Sequence, residues 1–95
     1  MKITEIQIDF IKPKDGLVAF ASLVVNDDIY LSSIGIYKKF DGSGYRLTYP
    51  SKGSHSVFYP INRNAGLTIE NEIFKKLNDV IKKVNQPCQN LTNIH

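Results

Sequence analysis

The residues of this chain most able to do chemistry are cations. Between positions 75 and 83, Lys75, Lys76, Lys82 and Lys83 stand against one acid, Asp79. Lys52 and Arg63 precede them, with Arg46 earlier still. A row of cations neutralises phosphates and releases their counterions without reading base sequence, so the pattern points to a nucleic-acid backbone. A lysine-bearing helix face is also a common solvated surface, and that alternative stands beside the first. Tyr45, Tyr49 and Tyr59 offer rings that can stack on unpaired bases or cover the edge of a core.

Other polar clusters have plain structural explanations. Asp27 and Asp28 are adjacent acids, but general-acid or metal chemistry needs further convergent ligands, and their Asn26-Asp27-Asp28 context is turn chemistry. His55 lies between Ser54 and Ser56. Chain neighbours seldom present the nucleophile–base geometry of a triad, and no orienting carboxylate is close in sequence. Gly42-Ser43-Gly44 lacks the lysine of a phosphate loop and precedes a strand pattern, so it reads as a hairpin. Cys88 is the one cysteine, which leaves no partner for an intrachain disulfide, and with His55 and His95 it makes no metal-ligand spacing. No enzyme activity, cofactor or metal is expected.

These residues need a scaffold, and 95 residues allow one domain with one core. The composition, 42% hydrophobic and 22% charged, is globular, and the formal net charge is +3. Residues 3–11 alternate, with Ile6, Ile8 and Phe10 on one face and Glu5, Gln7 and Asp9 on the other. Lys12-Pro13-Lys14-Asp15-Gly16 is read as the end of that strand. Residues 17–25 are nearly all apolar, which predicts a central strand. Residues 29–37 and 45–49 predict two more, and Val57-Phe58-Tyr59 a short fifth, beyond a polar loop over 50–56. Ile69, Ile73, Leu77, Val80, Ile81 and Val84 recur at three- and four-residue steps, predicting a helix over 65–84 that Asn62 or Asn64 caps and Pro87 stops. The expected fold is α+β: an antiparallel β-meander sheet of four to five strands with one C-terminal helix on its apolar face. Residues 1–87 form the domain, and 88–95 a flexible tail.

Leu17, Val18, Phe20, Leu23, Val24 and Val25 put apolar side chains on both faces of the second strand. One helix covers one face of a sheet, so a second copy is expected on the other, as a homodimer. The polar, alternating start of the chain reads as no signal peptide, and no apolar run reaches membrane-spanning length, which leads to the expectation of a cytoplasmic protein without membrane contact or small-molecule substrate.

The order of short motifs resembles the SpoVG family, the stage V sporulation protein G or septation regulators. The resemblance rests on Met1-Lys2-Ile3-Thr4-Glu5-Ile6, Pro50-Ser51-Lys52 after Tyr49, Pro60-Ile61-Asn62 and a helix from about Ala65, and spans residues 1–84. The chain departs from the pattern in a shorter loop before Pro60, in Tyr59 where the family has His, and in Gly66, Leu67 and Thr68 in place of charged positions. The resemblance implies a small cytosolic bacterial regulator, linked to cell division and sporulation, that dimerises and binds DNA and in some cases RNA. On this chain Lys52, Arg63, Lys75, Lys76, Lys82 and Lys83 are the expected contacts to nucleic acid. The alternative is a protein-interaction module of the same fold that does not touch nucleic acid.

Overall fold

Two tight turns set the sheet. Asp15 and Gly16 take φ of 53° and 92°, and Asn26 and Asp27 take 53° and 60°. Asp15-Gly16 is a two-residue hairpin turn, which demands a pair of left-handed residues, and Asn26-Asp27-Asp28 is a three-residue loop that opens with such a pair; Asp, Asn and Gly adopt these angles at least cost. The computed structural model describes the backbone of residues 1–93 and the side chains of residues 1–83. Strands β1 (Ile3–Lys14), β2 (Leu17–Val25), β3 (Ile29–Lys38) and β4 (Tyr45–Thr48) form one antiparallel sheet in the order β1-β2-β3-β4. Two-residue strands β5 (Ser51–Lys52) and β6 (His55–Ser56) make a separate hairpin, and helix α1 (Arg63–Asn93) follows. The architecture is the expected α+β meander with one C-terminal helix.

The helix packs where the strands turn their apolar side chains. Ala19, Ala21 and Leu23 of β2, Ile34 and Ile36 of β3, and Ile69, Ile73 and Leu77 of α1 are all buried together. The helical trio recurs every four residues and so lies on one stripe. The two alanines stand on a central strand beneath the helix, where small side chains leave room for it. Leu23, Ile34, Ile36, Ile73 and Leu77 are the largest fully buried side chains, each contributing about 1.5–3 kcal/mol by leaving water.

The other face of the sheet is open. Phe20 pairs with Asp9 and Gly35, and Val24 with Thr4 and Tyr30, so their side chains lie opposite Ala19, Ala21 and Leu23. Phe20 is 37% exposed and Tyr30 67%. Register shifts interrupt the pairing between Thr4 and Gln7 and between Ala21 and Leu23. Glu5 and Ser33, with φ of 51° and 64°, sit at these irregularities.

Three expectations need correction, and one open choice is decided. β1 continues through Pro13 to Lys14, because it is an edge strand and proline's missing N–H can face away from the ladder. Val57-Phe58-Tyr59 is not a strand; the small hairpin falls within the expected polar loop, at Ser51–Lys52 and His55–Ser56. Phe58 instead packs edge-on to Tyr49, with ring centroids 6.1 Å apart. The helix starts at Arg63 and is assigned through Pro87 to Asn93, since an interior proline forfeits one backbone hydrogen bond yet need not end a helix. The cap is settled as Asn62, whose Oδ1 accepts from the Ala65 amide at 2.8 Å. The side chains of Val84, Cys88 and His95 lie outside the described residues, and of the tail expected over 88–95 the backbone of 88–93 continues the helix.

Candidate nucleic-acid interface

The direction of α1 decides which charges meet. Its first turns, at Ala65 and Ile69, share a pocket with Val25, Ile29 and Tyr49. Further along, Leu77 and Asn78 share a cleft with Lys39 and Tyr45. The helix therefore runs from the end of the sheet that holds the β2–β3 turn toward the end that holds the β1–β2 turn and the β3–β4 loop. Lys82 and Lys83 lie just over one turn beyond Asn78, and both are exposed.

The antiparallel meander gathers further cations at that same end. Lys12 and Lys14 close β1, Lys38 and Lys39 leave β3, and Arg46 opens β4. With Lys75, Lys76, Lys82 and Lys83 of the helix these make nine cations, against Asp15, Asp41, Asp79 and Glu72, the last two sharing a hollow with Lys75 and Lys76. The rest of the chain is the reverse: Lys2, Lys52 and Arg63 stand against Glu5, Asp9, Asp27, Asp28 and Glu70. One of those three cations is already engaged, because Lys2 Nζ lies 2.8 Å from Asp27 Oδ2. A formal charge of +3 is thus the difference between a strongly positive half and a negative one. Clustered charge raises the local potential well beyond what the sum suggests.

The six residues singled out in the sequence do not form one patch. Lys75, Lys76, Lys82 and Lys83 belong to the positive half. Arg63 opens the helix, and its Cα is about 28 Å along the axis from that of Lys82 at 1.5 Å per residue. Lys52 sits on the β5–β6 hairpin, beyond the far end of β4. Glu72 and Asp79 share a surface hollow with Lys75, Lys76 and Ile6, so acids interleave this stretch of the helix. Lys12, Lys14, Lys38, Lys39 and Arg46 are the members that sequence reasoning missed as a group. The signal was present in the topology: residues at the close of one strand and the opening of the next-but-two share a sheet end once the hairpins are known.

The aromatic residues divide by role. Tyr45 and Tyr49 pack against the core, while Tyr59 is exposed. At the positive end the Arg46 guanidinium carbon sits 4.6 Å from the Tyr37 ring centroid, a cation–π contact. Phe40, on the β3–β4 loop, is fully exposed. His55 lies on β6 opposite Lys52, exposed.

The opposite end carries an apolar pocket of about 230 Å³ walled by Leu31, Tyr49, Phe58, Pro60, Ala65 and Ile69. The Tyr49 hydroxyl is buried without a hydrogen-bond partner among the described residues. Burial, and secondarily the Glu70 carboxylate, raise its pKa above the ordinary 10.0. Among the described residues no three His, Cys, Asp or Glu side chains are placed to hold a metal ion, and no helix is long and apolar enough to cross a membrane. Compared with known protein families, curated proteins and solved structures, the chain matches none.

Proposed function

We propose that this chain is a non-enzymatic regulatory protein that binds nucleic acid, DNA and in some settings RNA, as a cytoplasmic homodimer of the SpoVG kind. The observation that carries the reading is the segregation of charge, nine cations against four acids in one half of the molecule. Such a surface holds phosphates electrostatically and leaves base sequence unread. The motif order of the SpoVG family supports the same reading. The dimer is supported by the open sheet face, where Leu17, Phe20, Val24 and Tyr30 leave apolar surface that a second copy would cover. Pairing through that face doubles the charge offered to one ligand.

Fluorescence anisotropy with a labelled duplex across a salt series tests the reading. With about six phosphates neutralised per chain, log affinity falls with log salt at a slope of about −5. No binding at low salt, or binding indifferent to salt, refutes it. A protein-interaction module is the second reading, favoured by the apolar pocket and its neighbours Ile61, 86% exposed, and Tyr59. In that case replacing the helix lysines by glutamine leaves function intact.

A further inference from the structure

We propose that the positive end of the sheet holds a stacking site for an unpaired base of single-stranded nucleic acid, built from Phe40, Tyr37 and Arg46. The proposal rests on the nucleic-acid reading and adds which form of nucleic acid is preferred and which side chain selects it.

Phe40 is an aromatic side chain left in water, yet the loop that carries it is well tied. The Lys39 amide donates to the Gly44 carbonyl at 2.9 Å, and the Gly42 amide donates to the Lys39 carbonyl at 3.1 Å. The Ser43 amide donates to Asp41 Oδ1 at 2.8 Å. The Lys38 amide donates to the Gly16 carbonyl at 2.8 Å, pinning the root of the loop to the β1–β2 turn. A hydrogen-bonded loop therefore presents the ring, so little ordering entropy remains to be lost when a ligand stacks on it.

Around that ring the chemistry suits a nucleotide. Tyr37, Lys38, Lys39, Phe40 and Arg46 line an open cleft of about 390 Å³, within the range of small-ligand sites. Arg46, held over Tyr37, keeps its N–H donors at the guanidinium edge, where they suit phosphate oxygens. The acids of the cleft are Asp15 and Asp41. Asp41 is engaged by Ser43, whose hydrogen bonds hold its carboxyl below the ordinary carboxylate range.

Three cations against two acids give the cleft only a slight excess of charge, so phosphate attraction alone would fill it weakly. Stacking supplies the remainder, and every base offers a face for it. A duplex hides those faces inside its stack. The helix lysines serve either form, whereas Phe40 rewards an unpaired strand.

The chain contains no tryptophan, so Phe40→Trp places a single fluorescent reporter at the site. Two probes are compared at low salt: an oligothymidine of about fifteen nucleotides and a mixed-sequence duplex of the same length. The oligothymidine is expected to quench the tryptophan emission of Phe40→Trp, and the duplex to leave it unchanged. By anisotropy, Phe40→Ala should weaken oligothymidine binding by at least about fivefold, hold duplex affinity within about twofold, and Phe40→Trp should restore the loss. Unchanged oligothymidine affinity in Phe40→Ala, or equal losses for both probes, overturns the stacking site while leaving the nucleic-acid reading in place. If the unaltered protein binds neither probe, the nucleic-acid reading fails, and the stacking site with it.

Discussion

Replacing Tyr49 by Phe removes a hydroxyl that is buried without a partner and keeps the ring that packs edge-on against Phe58 at 73°. A buried polar group left unpaired costs about 1–3 kcal/mol. The pocket that Tyr49 lines is open on one side, which favours the lower end of that range. We expect Tyr49→Phe to be more stable than the parent by about 1 kcal/mol, or about 4–8 °C in midpoint for a domain of this size. The difference should grow with alkalinity. Burial and Glu70 raise the folded-state pKa of Tyr49 above 10.0, so the folded chain holds this proton more tightly than the unfolded chain does. The stability linked to that proton is fully present below about pH 10 and is lost as pH rises through the folded pKa. Tyr49→Phe has no such proton to lose. Urea unfolding followed by circular dichroism, at pH 7 and at two values above pH 10, measures both effects. A variant less stable than the parent at pH 7 shows that the hydroxyl is satisfied in solution, and a gap that does not widen with pH refutes the electrostatic argument.

Three further substitutions test the scaffold. A methyl group at Gly35 would stand 2.6 Å from Thr48 Oγ1 and 3.2 Å from the Tyr37 ring, so Gly35→Ala should cost about 1–3 kcal/mol in urea unfolding; adding Thr48→Ala should recover part of it, and strictly additive losses would show that the clash is not the cause. Leu77→Ala empties the centre of the helix stripe and should cost about 2–5 kcal/mol, measured as a fall in the denaturation midpoint at unchanged slope. Asn62→Ala should cost about 1 kcal/mol through loss of the helix cap, while Asn64→Ala stays within about 0.5 kcal/mol; equal costs would mean that the cap is shared.

The central hairpin was legible because its signals agree. Asn26 and Asp27 favour left-handed turn angles, and the nearly all-apolar run 17–25 before them and the strand-forming run 29–37 after them are of matching length, so turn and strands predict one another. Val57-Phe58-Tyr59 was misleading because an apolar triplet looks alike whether its backbone pairs in a ladder or its rings wall a pocket. Two asparagines near the helix start were equivalent in sequence, and only the position of the first turn distinguished Asn62. The site shows the sharper limit. A lysine run on one helix is visible in a single window, whereas Lys12, Lys38 and Arg46 are far apart in the chain and meet through hairpin geometry. The notice given to Lys52 and Arg63 went to cations at the other end, because sequence proximity to the helix stood in for proximity in space.

The irregular edge of β1 bears on how the protein survives at high concentration. An edge strand of twelve residues offers a long row of unpaired amides and carbonyls to any passing chain. Here the row is broken near its start by the left-handed residue Glu5 and near its close by Pro13, which has no amide to offer. What remains regular between the two register shifts is Gln7 to Phe10, a template about as long as the shortest stable strand pairings. Lys12 and Lys14 add like-charge repulsion between two copies that approach edge to edge. The same lysines that enrich the positive half thus work against edge-to-edge growth, and neutralising them to test the proposed nucleic-acid binding should also lower the concentration at which the protein aggregates.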